Sequence, residues 1–329
     1  MAAAGTPPEF AGVHGRGVEP TQGGGIMPGD NNSTLHGSMT AMVTPFSGGE
    51  PDWARVAILV ETQIAAGTDW LVPCGTTGES PTLSDAEKLR LIETVLAAAK
   101  GRVPVMAGTG TNDTASTIRQ TVSAARAGTD AALVVTPYYN RPTQEGLFRH
   151  FAAVAEAVDL PIVLYNVPAR TGVSLSNDTI VRLRATASNV VAVKDATGNV
   201  EGVTDLLSRC DIAVLCGDDA LTWPMMAVGA VGVISVISNL VPEWMKALVS
   251  AALRGDAASA LPYHRRVHDL ASSLSRFGPN PIPIKTALAV AGVIEEEFRL
   301  PLCPVDGEAR AAMERILRRH ELLRVPTGE

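Results

Sequence analysis

The run Val190-Val191-Ala192-Val193-Lys194-Asp195-Ala196-Thr197-Gly198 decides how the chain is read. Four apolar residues in a row, three of them β-branched, favour a strand covered on both faces. The run then stops at an ammonium and a turn sequence. The chain holds five lysines, and four have ordinary places: Lys88 and Lys100 on a charged helix, Lys246 on another, Lys285 in the Pro-rich entry to a third. Lys194 alone ends an apolar strand. A lysine in that position is commonly a surface residue whose stem packs while its head reaches water. The sharper alternative is a catalytic amine.

Similar apolar runs recur on both sides, at a spacing of about 25 to 35 residues: Ser38–Thr44, Trp70–Gly75, Val103–Gly108, Ala131–Thr136, Ile162–Asn166, Val190–Lys194, Ala213–Gly217 and Val231–Val236. They lack the polar alternation of a one-sided sheet. Between them lie amphipathic stretches with readable ends. Ser84-Asp85-Ala86-Glu87 is a capping box, and Gly67, Gly101 and Gly128 are placed as left-handed helix ends. Eight strands with short helical crossovers predict an α/β fold, a (β/α)₈ TIM barrel; a doubly wound open sheet is the alternative. Past about residue 240 the pattern is helical, over Pro242–Arg254, Asp256–Leu274, Lys285–Gly292 and Asp306–Arg324. The expected organisation is a disordered leader over 1–36, rich in Gly and Pro, a catalytic barrel over 37–256 and a C-terminal helical domain over 257–329.

Composition narrows the class. With 46% hydrophobic residues in 329, the chain can bury a large core. A net charge of −7 and scattered arginines leave no basic stripe for nucleic acid. No apolar run approaches the roughly 20 residues that cross a bilayer. Four cysteines without metal or disulfide spacing fit a reducing, cytoplasmic setting. His264 and His268, four apart, could offer two metal ligands, but neither an H-E-x-x-H pattern nor an obvious third ligand accompanies them. No metal is expected there.

In such a barrel the chemistry sits at the C-terminal strand ends. Those ends read Gly75-Thr76-Thr77-Gly78-Glu79, Thr136-Pro137-Tyr138-Tyr139-Asn140, Tyr165-Asn166-Val167-Pro168-Ala169-Arg170-Thr171-Gly172, Lys194, and Cys216-Gly217-Asp218-Asp219. Hydroxyls, phenols, a guanidinium and an amine converge on one face. This set suits Schiff-base chemistry, in which a neutral amine attacks a carbonyl and the protonated imine then serves as electron sink without metal or organic cofactor. A lysine in water, with a pKa near 10.4, is neutral about once in 2,500 molecules at pH 7, so desolvation has to help. Tyr165, Tyr139 and Thr76 can relay protons, and Arg170 offers a fork for a carboxylate. Blander readings stand beside these. The Tyr138-Tyr139 turn could be packing, Gly75–Glu79 a tight turn or an anion cradle, and Asp218-Asp219 a helix cap.

The ordered motifs Gly75-Thr76-Thr77-Gly78-Glu79, Ala107-Gly108-Thr109-Gly110, Val135-Thr136-Pro137-Tyr138-Tyr139-Asn140, Tyr165-Asn166-Val167-Pro168, Val193-Lys194-Asp195-Ala196-Thr197-Gly198 and Gly217-Asp218-Asp219 closely resemble the dihydrodipicolinate synthase family of pyruvate-dependent class I aldolases. The resemblance runs from about Gly37 to Leu323. Related sialate lyases and keto-deoxy sugar acid aldolases share the G-T-T-G-E turn, the Tyr and the Lys, and form the alternative. Arg170 after Tyr165-Asn166-Val167-Pro168, Tyr138-Tyr139, and Pro279-Asn280-Pro281-Ile282-Pro283-Ile284-Lys285 favour the synthase branch.

By this resemblance Lys194 would form an imine with pyruvate, and Thr77 with Thr76 would hold the pyruvate carboxylate. Tyr165 would be the general acid/base, relayed through Thr76 to Tyr139 from the neighbouring subunit. Arg170 would bind the carboxylate of L-aspartate 4-semialdehyde, with main-chain groups of Gly217 and Ile234 bordering the pocket. The resemblance implies no cofactor beyond the covalent imine, and a homotetramer built as a dimer of dimers. Lysine-inhibited members bind lysine at positions matching Ser80, Pro81, Asp85, Lys88, Asn112, Ser116 and Tyr138. Where sensitive members often carry His and Glu, this chain has Lys88 and Ser116. A cation replaces a weak base and a carboxylate is missing, so weak or absent inhibition by L-lysine is expected.

Overall fold

The computed structural model describes residues 35–323. Of the expected leader, only Leu35 and His36 fall among them, and Leu35 is buried under the barrel strands. Eight parallel strands form the sheet: β1 (Gly37–Ala41), β2 (Trp70–Val72), β3 (Met106–Gly108), β4 (Ala131–Val135), β5 (Ile162–Asn166), β6 (Val190–Asp195), β7 (Ala213–Cys216) and β8 (Gly232–Ser235). β1 pairs with both β8 and β2. The remaining seam, between β2 and β3, closes through the parallel bridge Leu71–Val105, with the Leu71 N–H donating to Pro104 O at 3.1 Å and the Gly108 N–H to Pro73 O at 2.9 Å. The sheet is a closed (β/α)₈ barrel, as the eight apolar runs predicted.

Three strand ends fall three residues short of the sequence reading, the first being β1, which stops at Ala41 rather than Thr44. β2 stops at Val72, because Pro73 follows and Cys74 turns left-handed at φ 59°. β3 begins only at Met106, after Pro104, which has no N–H to give a ladder. The helix over Asp85–Ala99 starts with the Ser84–Glu87 capping box. Its left-handed end is Lys100 rather than Gly101. An eighth crossover helix, Pro242–Leu253, follows β8, and three more complete the chain: Ala257–Ser275, Ile282–Val290 and Gly307–Arg319. These last helices share one core with the barrel exterior, where Leu270, Leu274, Met313 and Leu317 join Leu248 and Val249.

Side chains along a strand alternate between two environments. On β5, Ile162 and Leu164 pack outward with Leu147 and Phe151 of the helix Gln144–Glu156. Val163 and Tyr165 point the other way and join Met39, Met106, Leu215 and Ile234 in the barrel interior. Burying a side chain such as Phe151 contributes about 1.5–3 kcal/mol.

β6 breaks the alternation at one place. Ile162 pairs with Val190, but Val163 pairs with Ala192, leaving Val191 as an extra residue. Val190 packs with the outward cluster, Val191 and Ala192 both with the inward one, and Val193 with the outward one again. Lys194, next after Val193, therefore points inward. With strict alternation it would share the face of Val190, four residues earlier, against the helices. The bulge re-aims a side chain, as bulges beside functional sites commonly do.

Candidate active site

Lys194 is only 5% exposed, with its Nζ 4.2 Å from the centroid of the Tyr165 ring. The two residues lie opposite each other in the β5–β6 register. The ring face, negative in its quadrupole, is a favourable neighbour for an ammonium. Lys194 and Tyr165 open into a cavity of about 260 Å³ at the C-terminal ends of the strands, which Thr76, Thr77, Arg170 and Gly217 also line. A second cavity, of about 220 Å³, shares the Thr76, Tyr165 and Arg170 walls and extends past Ser80, Pro81, Lys88 and Tyr138.

Each member of this wall is placed by local chemistry. Thr76 and Thr77 sit in a 3₁₀ turn over Thr76–Gly78, closed by N–H groups of Gly78 and Glu79 donating to Gly75 O and Thr76 O at 3.1 Å each. The Thr44 hydroxyl donates to Gly78 O at 2.7 Å and ties the turn to β1's exit. Arg170 rides a single helical turn, Pro168–Thr171, which Gly172 ends at φ 72°. Its Nη2 donates to Asn280 O at 3.0 Å, so an otherwise exposed side chain is held over the cavity.

Gly217 is required as glycine. A Cβ there would lie 2.8 Å from Ala196 Cβ, 3.0 Å from Asp195 O and 3.2 Å from Lys194 Cε. Ile234 sits differently from the other expected residues. It is fully buried in the barrel interior and does not line the cavity; Val236 and Ile237, just beyond it, do. Tyr139 also stands apart, 90% exposed and left-handed at φ 73°. Of the positions matched to lysine binding, Ser80, Pro81, Lys88 and Tyr138 line the second cavity together, while Asp85 accepts from Gln120 Nε2 at 3.1 Å and Ser116 Oγ from Arg119 Nη2 at 2.7 Å.

The acids beside Lys194 have structural partners. Asp195 accepts from the Thr197 N–H at 2.9 Å and hydroxyl at 2.7 Å, and burial raises its carboxyl above the ordinary aspartate value. The two aspartates after Gly217 divide their work: Asp218 caps the turn through the Ala220 N–H at 3.0 Å, whereas Asp219 Oδ2 accepts from Val236 N at 3.1 Å and Ile237 N at 3.0 Å. Burial pushes Asp219 up as well. The two nearby thiols are poor competitors as nucleophiles, since burial pushes Cys74 and Cys216 each up to about 12. His264 packs its ring between Trp223, 5.5 Å away, and His268, 6.1 Å away.

One lysine is less ordinary than its place suggested. Lys285 does stand in the Pro-rich entry to the helix Ile282–Val290, but it is fully buried and ion-paired with Glu79, also fully buried. Burial lowers its amine, and the Glu79 carboxylate opposes that shift. Asn280 was missed too. Its Nδ2 donates to Thr77 Oγ1 at 2.9 Å while its carbonyl holds Arg170. Both residues lie within the Pro279–Lys285 stretch, whose prolines marked a helix entry but not what it packs against.

With this geometry in place, similarity to known proteins is informative. The sequence profile of the Dihydrodipicolinate synthetase family matches residues 34–320. The chain belongs to that family. It is 48% identical over 289 residues, 87% of this chain and 99% of the relative, to a 4-hydroxy-tetrahydrodipicolinate synthase from Geotalea daltonii. Its fold is similar to that of dihydrodipicolinate synthase from Aquifex aeolicus, with a TM-score of 0.86 and 44% identity over 88% of this chain and 99% of the other. The chloride-inhibited enzyme from Acinetobacter baumannii, complexed with pyruvate, gives 0.85 and 43% over 88% of this chain and all of the other.

If Lys194 is the amine that takes up pyruvate, Gly217→Ala should slow its imine formation by about 10- to 100-fold, because the added methyl crowds Lys194 Cε and a misplaced reacting atom is costly. Borohydride trapping at short times measures this rate. A rate within twofold of the original would show that the contact with Lys194 Cε is not limiting.

Proposed function

We propose that the chain is a lyase of class I aldolase type that condenses pyruvate with L-aspartate 4-semialdehyde. The product is (4S)-4-hydroxy-2,3,4,5-tetrahydrodipicolinate, the entry to lysine and diaminopimelate synthesis. The observation that carries this reading is the inward-turned, nearly buried Lys194 against Tyr165, in a cavity lined by two threonines and one arginine. Relatives at 44–48% identity bearing the synthase name favour it over a sugar-acid aldolase.

The chemistry follows from the residues. Lys194 Nζ adds to C2 of pyruvate, and water leaves as the protonated imine forms. The imine accepts the electron pair freed when a methyl proton departs, giving an enamine. Its terminal carbon attacks the aldehyde of the second substrate, making the new carbon–carbon bond. The substrate's own amine then displaces Nζ from C2, closing the ring and freeing Lys194. Tyr165 is the acid/base for these transfers, relayed by Thr76. Thr76 and Thr77 hold the pyruvate carboxylate, and the Arg170 fork holds that of aspartate semialdehyde. Gly217 borders the site, with Val236 and Ile237 in the place expected of Ile234. The reaction draws on no cofactor beyond the covalent imine.

Tyr139 supports an oligomer. A tyrosine 90% exposed, in a backbone region that costs non-glycine residues energy, is explained if a neighbouring copy receives it. The assembly is a homotetramer, a dimer of dimers, in which Tyr139 completes the relay of its partner. Four free cysteines suit a cytoplasmic setting. No described helix is long and apolar enough to cross a membrane.

Pyruvate with aspartate semialdehyde should turn over, whereas pyruvate with N-acetylmannosamine should not, and millimolar L-lysine should leave the initial rate nearly unchanged. Preference for the sugar would overturn the assignment, and halving by lysine would overturn the reading of Lys88 and Ser116. Tyr139→Phe should lower kcat by about 10- to 100-fold while the pyruvate KM stays within about threefold, as a transition-state relay requires. Equal losses in both would count against the relay.

A further inference from the structure

We propose that the buried Glu79–Lys285 ion pair is a positioning device, which aims the Thr76-Thr77 turn at the pyruvate carboxylate. The inference rests on the proposed function and adds two residues to it.

Glu79 closes the threonine turn in a left-handed conformation, φ 54° and ψ 37°, which a residue with a Cβ adopts only where its surroundings impose it. What imposes it is visible at the side chain. Oε1 meets Lys285 Nζ, and Oε2 accepts from the Arg299 N–H at 3.2 Å. Lys285 Nζ is in turn set between the rings of Phe46, 4.3 Å to its centroid, and Phe298, 4.9 Å. Arg299 clamps the next stretch of the same loop, donating to Thr82 O at 3.0 Å and pairing through both terminal nitrogens with Glu87 at 2.6 and 3.0 Å.

Among the described ion pairs, Glu79–Lys285 is the one with both side chains wholly removed from water. Two charges are costly there, and a well-packed apolar pair would join the barrel to its C-terminal helices as well or better. An apolar pair has no preferred direction, however. A charge-assisted hydrogen bond fixes one orientation of the turn. The fixed partner also sets the place of Asn280, five residues before Lys285, which holds the Thr77 hydroxyl and the Arg170 guanidinium. One anchor thus registers the proposed holders of both substrates. Neither Glu79 nor Lys285 lines either cavity, so they act through the threonines.

Glu79→Gln with Lys285→Met removes both charges and leaves none unpaired. In the folded double variant, the pyruvate concentration that half-saturates borohydride trapping on Lys194 should rise about tenfold or more, kcat should fall at least tenfold, and the KM for aspartate semialdehyde should rise as well, because Asn280 also holds Arg170. A pair that serves only folding would reduce the number of trappable sites and leave half-saturation unchanged; that result overturns the proposal. Should the neutral variants not fold, Glu79→Asp keeps both charges and shortens the tether by one methylene, and the same pyruvate shift decides. The unmodified chain separates this proposal from the functional reading. If it traps pyruvate but leaves aspartate semialdehyde unchanged, only the second substrate is overturned; if it traps no pyruvate, both fall.

Discussion

One extra residue in β6 determines which way the lysine points. Because Val191 is left over between the pairs Ile162–Val190 and Val163–Ala192, the strand changes phase and Lys194 enters the barrel rather than the helix layer. Everything proposed for the site presumes that orientation: the contact with Tyr165, the glycine at 217 that leaves room for the lysine stem, and the shared cavity with Thr76, Thr77 and Arg170. A period of two is unforgiving, so a one-residue slip reverses a whole face. The barrel uses that sensitivity once, where it aims its amine.

The same barrel buries a second ammonium and treats it oppositely. Lys285 is given a carboxylate, two aromatic faces and no cavity to open into, so its charge is spent on geometry. Lys194 is given a tyrosine face and an open volume, leaving its nitrogen free to meet a carbonyl. Two lysines of similar burial therefore take different roles from their surroundings, one as anchor and one as proposed nucleophile. Arg170 and Thr77 join the two through Asn280, which ties the strand-end loops to the C-terminal helices.

Much of this was legible from residue order. Strands covered on both faces are apolar throughout, so all eight appeared as short runs, and their C-terminal ends named Lys194, Tyr165, Thr76, Thr77, Arg170 and Gly217 before any geometry. What escaped were effects that depend on distant partners. The direction of Lys194 depends on a bulge that the run of valines and alanine does not betray. Lys285 resembled an ordinary helix start because its partner, Glu79, is 206 residues away in the chain. Ile234 was placed at the pocket edge, whereas the turn at Val236-Ile237, held by Asp219, takes that position.

Reduction with borohydride in the presence of pyruvate, followed by mass mapping of the modified peptide, tests the role of Lys194 directly. One stable adduct per chain is expected, on Lys194, with Lys285 and the three other lysines unmodified. An adduct on another lysine, or none in folded protein, would contradict it.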